Sequence, residues 1–303
     1  MRFAVILSEL LSARVRRPVA SLEAFLAELR ALEGTPFELA IDGGARADRV
    51  GYAFVAGIRA AIEALAPDVG RARVPALCAT EAHGAHPRGI TTSFDETAGT
   101  VTGEKRFATL APLADVLLVL AKAGEREGRN VLRVVLVDPR ARGVRIAPMA
   151  ELSFAPEVPH ATVTFDAAPV SGVLEGDGYE RTVKPFRTLE DLHVMAALLA
   201  HVIVEARARS WPHAVAEDAM AALLSLRGIS DLPPLDPAAH IALAGALRGA
   251  RAVFAAVDRC FAAGPSDEAA QRWARDRPIG DVAERARALR LEAAWRKLTL
   301  TGP

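Results

Sequence analysis

The hydrophobic period of this chain changes twice, and those changes constrain its fold more than any other feature. Up to about residue 70 apolar residues recur at helical spacing. Leu22, Phe25, Leu26, Leu29 and Leu32 follow Ser21, a favoured N-cap, and Phe54, Val55, Ile58, Ile62 and Leu65 repeat the pattern before Pro67. From about Arg73 the runs shorten to strand length: Val116 to Leu120, Val131 to Val137 and His160 to Phe165, punctuated by Asp138-Pro139, Gly143, Pro156 and Pro159. Helical spacing returns at Thr188 and runs through Leu189, Leu192, Ala196, Leu199 and Ile203. Further helices are predicted over about 215–227, 238–263 and 281–297, with breaks at Pro233-Pro234 and Gly264-Pro265. Helices on both sides of one block of strands predict an α+β chain with segregated layers, divided near 1–72, 73–180 and 181–303. No G-x-G-x-x-G follows a strand, which argues against a dinucleotide-binding βαβ unit, and Asp42-Gly43-Gly44 reads as a turn in a loop.

Charge and cysteine content narrow the function classes. Thirty-seven basic residues balance 37 acidic ones over 303 residues, and no basic tract or acidic tail marks a nucleic-acid partner. Two cysteines, Cys78 and Cys260, provide neither a disulfide framework nor a clustered metal site. The N-terminal apolar run, Phe3 to Leu7, is too short for a signal segment, and no stretch reaches 18 uninterrupted apolar residues. A soluble cytoplasmic protein with no membrane insertion is the expectation.

Chemistry concentrates in the strand block. Thr80-Glu81 opens a glycine-containing loop to Ile90, a short hairpin follows, and Gly103-Glu104-Lys105-Arg106-Phe107-Ala108-Thr109 comes next. Val163-Thr164-Phe165-Asp166, then Val170, then Leu174-Glu175-Gly176, closes the block. These three pieces, in this order and spacing, resemble the middle β-domain of the acyl-CoA dehydrogenases, in which a T-E-P-x-x-G-S loop and a G-x-K-x-W-I-T strand hold the flavin of FAD. The resemblance is clear over residues 73 to 210. It implies an N-terminal helical lobe, a central β-barrel-like domain and a C-terminal helical bundle, assembled as a homodimer or homotetramer.

The resemblance also implies roles. The Ala79 backbone and the Thr80 backbone and hydroxyl would bond the polar edge of the isoalloxazine, where donors stabilise the charge that builds up as the ring accepts hydride. Phe107, in place of the usual Trp, would lie against the ring, and Thr109 would bond its edge. His86 stands where the family places a Ser and can donate a hydrogen bond in its stead. Read without the resemblance, Thr80 caps a turn, Phe107 is core and Thr109 ends a strand; Glu81, His83 and His86 make only a weak metal-ligand set.

The family removes an α-proton from an acyl-CoA with a carboxylate. This chain has no Y-E-G loop to provide one, since its only tyrosines are Tyr52 and Tyr179. A minority of members place the base at the start of the first helix after the β-domain, which puts Glu190 in that role. The competing reading is local: Thr188 with Asp191 three residues on forms a capping box, and acids in a first helical turn suit the helix dipole. The family's R-x-x-F-G and G-G-x-G segments are missing after residue 210. The functions left open are an FAD-dependent oxidoreductase acting on the CH–CH group of an acyl-CoA, a non-catalytic assembly partner, and a flavin-dependent monooxygenase of the same fold.

Overall fold

The computed structural model describes residues 2–12, 15–69 and 73–300, so the expected boundary at 72 lies outside the described residues. The chain forms two compact units: Met1–Ala61, Ser153–Ala155 and Thr188–Pro303 in one, and Ile62–Leu152 with Pro156–Arg187 in the other.

The first unit is helical. Before the strands come α1 (Arg2–Ser12), α2 (Leu22–Arg30), α3 (Pro36–Arg46) and α4 (Val50–Leu65); after them come α5 (Lys184–Ala208), α6 (His213–Ile229), α7 (Pro237–Ala263), α8 (Glu268–Asp276) and α9 (Glu284–Leu300). Ser21 caps α2 as expected, accepting the Ala24 N–H at 3.2 Å. The Asp42-Gly43-Gly44 turn is a correction, because these residues lie inside α3, started by Pro36 and by a capping box between Thr35 and Glu38. Packing explains the glycines. A Cβ on Gly44 would stand 2.2 Å from the Ala197 carbonyl of α5, and one on Gly57 of α4 would stand 2.4 Å from the Val194 Cα. Two helices thus meet the α5 backbone at points where only hydrogen fits. α8 lies outside the helices expected from the sequence and is N-capped by Asp267 on the Ala270 N–H at 2.9 Å. α7 is long and apolar enough by composition to cross a membrane, yet Leu243, Leu247, Val253, Phe254 and Val257 are buried along it.

The second unit is a barrel. Its strands are β1 (Pro75–Cys78), β2 (Ser93–Asp95), β3 (Thr100–Thr109), β4 (Val116–Arg126), β5 (Arg129–Val137), β6 (Val144–Pro148) and β7 (His160–Val173). β4, β2, β3, β7 and β5 pair in that order, and β5 returns to β4, so five strands close on themselves with β1 on β4 and β6 on β7. Closure leaves few unpaired edges. Inward residues alternate along the strands except where bulges interrupt them, and Leu117, Val119, Val135, Val163 and Phe165 fill the barrel core. Thr92, just before β2, approaches β3 so closely that Gly103, at φ 143°, has no room for a side chain: its Cβ would meet the Thr92 Cα at 2.7 Å.

Candidate functional site

A break in the alternation of β3 builds the site. Lys105 faces Val163 of β7 and Ala108 faces Ala161, so two residues, Arg106 and Phe107, oppose the single residue Thr162. This is a β-bulge, and it reverses the facing of the residues beyond it. Without it Phe107 would point into the core beside Lys105; with it Ala108 turns inward, fully buried, and Phe107 is 53% exposed. Phe107 adopts φ 54°, a left-handed conformation that costs a non-glycine residue about 1–2 kcal/mol. An aromatic ring held in solvent on a strained backbone lacks the burial that would offset the strain. Phe107 as core is therefore overturned, and Thr109, half-buried, shares its outward face.

Thr80 joins the same region through its backbone. Its carbonyl accepts the Arg106 N–H at 2.8 Å, which places the segment after β1 alongside the bulge. Ala79 is buried and Thr80 half-buried. Arg106 and Thr109 are three positions apart, a span of about 10 Å at most in extended chain. The two segments are thus hydrogen-bonded neighbours in one unit.

A buried ion pair fixes that arrangement. Lys105 Nζ lies 2.7 Å from Glu81 Oε1, with Lys105 fully buried and Glu81 nearly so. Glu81 also accepts the Thr91 N–H at 2.9 Å, the Thr91 hydroxyl at 2.7 Å and the Thr92 N–H at 3.0 Å. Burial by itself would raise the Glu81 carboxyl, but the hydrogen bonds from Lys105 and Thr91 outweigh it and hold the group at about 2. Burial lowers the Lys105 ammonium, while Glu81 opposes that shift. Sequence reasoning weighed Glu81 only as a weak metal ligand. Its carboxylate is committed to the barrel, and among the described residues no group of three His, Cys, Asp or Glu side chains is placed to hold a metal ion. A lysine at an inward strand position, two residues after Gly103, was the available signal.

The loop carrying His86 is built locally. Glu81 and Gly84 exchange backbone hydrogen bonds, with Gly84 at φ 94°. Asn130, at the start of β5, donates its side-chain amide to the Pro87 carbonyl at 2.9 Å and to that of Ile90 at 3.4 Å. His86 is exposed, and its Nδ1 accepts the Arg88 N–H at 3.3 Å. In the neutral ring the hydrogen then sits on Nε2, so His86 offers an N–H donor outward. Asn130 was missed because its role depends on a partner more than 40 residues away.

Glu190 falls in the helical unit and the other five candidates fall in the barrel unit. The capping reading of its neighbours is a correction. α5 starts at Lys184, after a π-helical turn at Tyr179–Val183, so Thr188 is inside the helix and Glu190 is in its second turn. Thr188 is buried with its hydroxyl 3.3 Å from His240 Nε2. Asp191 is buried against α9, taking Arg287 at 2.8 Å and Arg290 as partners. The Thr188–Asp191 spacing is thus a pair of tertiary contacts. Glu190 is half-buried between them.

Comparison with known proteins agrees with this architecture. Residues 76–168 match the family described as acyl-CoA dehydrogenase, middle domain. No protein of curated function matches the chain by sequence. Among solved structures, a complex of PigA with FAD and proline is similar at TM-score 0.67 and 14% identity, over 99% of this chain and 97% of that one. FkbI, for biosynthesis of the methoxymalonyl extender unit of the Fk520 polyketide, is similar at 0.64 and 16%, over 99% and 93%. Butyryl-CoA dehydrogenase from Megasphaera elsdenii is similar at 0.62 and 15%, over 91% and 82%. The likeness in fold therefore extends past residue 210, where the sequence resemblance ends, into the last helices. Residues 76–168 thus match the acyl-CoA dehydrogenase middle domain, and the chain has an acyl-CoA dehydrogenase-like fold along its length.

Proposed function

We propose that this protein is an FAD-dependent oxidoreductase that acts on the CH–CH group of an acyl-CoA-type thioester. The observation that carries the reading is the β3 bulge. It holds Phe107 outward in a strained conformation, with Thr109 on the same face and the Thr80 carbonyl bonded one residue away. A planar aromatic cofactor fits such a platform: Phe107 would lie against the ring, and Thr80, Thr109 and the Ala79 backbone would bond its polar edge. His86, with its Nε2–H outward, suits a phosphate oxygen. The solved complex of PigA holds FAD in a similar fold.

FAD, when bound, accepts a hydride. This chain's own part is to orient the ring, exclude water and remove a proton. Glu81 is unavailable as a base, because its carboxyl is held at about 2 by Lys105 and Thr91. Glu190 is the proposed base: it is a half-buried carboxylate on α5, and Asp191 beside it is neutralised by Arg287 and Arg290. In this reading the segments 1–72, 73–180 and 181–303 correspond to the family's three domains, the protein is cytoplasmic, and it works as a homodimer or homotetramer. FkbI, tied to a methoxymalonyl unit, and PigA, in complex with proline, favour including substrates other than simple fatty acyl-CoA among those tried.

The test is the visible spectrum of the purified protein, followed by anaerobic addition of a panel of acyl-CoA thioesters. Flavin bands that bleach support the reading. Flavin bands that no thioester bleaches favour the monooxygenase alternative, and a colourless protein that takes up no FAD favours the non-catalytic one.

A further inference from the structure

The face that carries Phe107 and Thr109 continues onto β7. Ala161 and Val163 are fully buried in the barrel core, so His160 and Thr162 project from the opposite side. Thr109 of β3 is paired with His160. The Leu110 N–H donates to the Pro159 carbonyl at 2.9 Å and flanks that pair, which makes it a non-hydrogen-bonded one. In such pairs the side chains approach most closely, with Cα atoms about 4.5 Å apart. On its other side the His160 carbonyl accepts the Met149 N–H at 2.9 Å, so the backbone is held from both directions.

The ring is oriented as well. Nδ1 of His160 lies 3.0 Å from the Val158 carbonyl, an acceptor, so Nδ1 carries the hydrogen and Nε2 the lone pair. Burial lowers the pKa of this imidazole and favours its neutral form. Three chemistries therefore meet on one outward face: an aromatic ring at Phe107, a hydroxyl at Thr109 and an acceptor nitrogen at His160. A planar heterocycle bearing an N–H would satisfy all three.

We propose that His160 is a cofactor-contacting residue of this face, whose Nε2 accepts a hydrogen bond from a ring N–H of the flavin lying on Phe107. The proposal rests on the flavin reading above and adds a residue to it. His160 positions the ring and weights its redox state, because the ring N–H groups differ between the oxidised and reduced forms.

Full-length wild-type protein, His160→Ala and His160→Gln are titrated with FAD, following fluorescence quenching, the midpoint potential and thermal melting. His160→Ala is expected to weaken FAD binding roughly fivefold to tenfold, or to move the potential, with melting unchanged. His160→Gln, whose carbonyl can accept in place of Nε2, is expected to recover part of the loss. Wild-type protein that binds FAD while His160→Ala binds it equally, at the same potential, overturns the inference alone. So does a Gln variant as weak as Ala with both melting lower, since that assigns His160 to packing. A wild-type protein that takes up no flavin overturns the functional reading, and this inference with it.

Discussion

Lys105 and Glu81 meet inside the barrel with Nζ 2.7 Å from Oε1, tying the loop after β1 to the middle of β3. The pair explains why two segments more than 20 residues apart act as one structural element. Thr80 is held beside Arg106 because Glu81, just after Thr80, and Lys105, just before Arg106, are locked together in the core.

Breaking this pair is costly. Glu81→Gln leaves a buried ammonium without its counter-charge, so the barrel is expected to lose about 3–5 kcal/mol, read as the urea midpoint of the purified variant. Acid acts on the same group. Glu81 has a folded pKa near 2, below its ordinary value of 4.5, so its contribution is complete above 4.5 and is lost as pH falls toward 2. Wild-type unfolding free energy is expected to fall over that window, and the fall should be smaller in Glu81→Gln.

Phe107 separates stability from binding. At φ 54° glycine relieves backbone strain that phenylalanine carries, and an exposed ring contributes little burial. Phe107→Gly is expected to leave the melting temperature unchanged or raise it by a few degrees, for a gain of about 1 kcal/mol, while FAD affinity falls. A large loss of stability would return Phe107 to a packing role.

Two glycines provide a matched pair. Gly44→Ala drives a methyl group against the Ala197 carbonyl, whereas Gly89→Ala has nothing within 4 Å of the new atom. The first is expected to cost more than about 3 kcal/mol, with α3 pushed off α5, and the second less than about 0.5 kcal/mol. Circular dichroism melts of both variants check this.

Neighbouring acids on α5 are expected to differ in kind. Asp191→Ala strips the partner from Arg287 and Arg290 and should destabilise the helical unit by about 3 kcal/mol or more. Glu190→Gln preserves shape and should leave melting and FAD content unchanged while abolishing reduction of the flavin by thioester. Wild-type reduction rates in Glu190→Gln would remove the residue from the mechanism.

The sequence made the element types legible where the period was long and clean. Leu22 to Leu29 and Val131 to Val137 fall within a helix and a strand as expected. It misled where a local pattern served a tertiary purpose. Asp42-Gly43-Gly44 resembles a turn because glycine disfavours helices, yet close packing on Ala197 overrides that preference. Thr188 with Asp191 resembles a cap, yet their partners are His240, Arg287 and Arg290, 52 to 99 residues away. Phe107 and Thr109 were singled out through the resemblance, but the bulge that turns them outward was not readable, because it depends on the register with Val163 and Ala161. His160 was within reach: inward Ala161, Val163 and Phe165 set its facing by simple alternation.

One face of the barrel, around Phe107 and Thr109, is proposed to bind a flavin. Its most direct test is FAD titration of apo protein followed by flavin fluorescence, in wild type and in Thr109→Val. Saturable quenching at one FAD per chain is expected, weakened roughly fivefold to tenfold in Thr109→Val with unaltered melting. No saturable quenching in the wild type, or equal affinity in the two proteins, would contradict it.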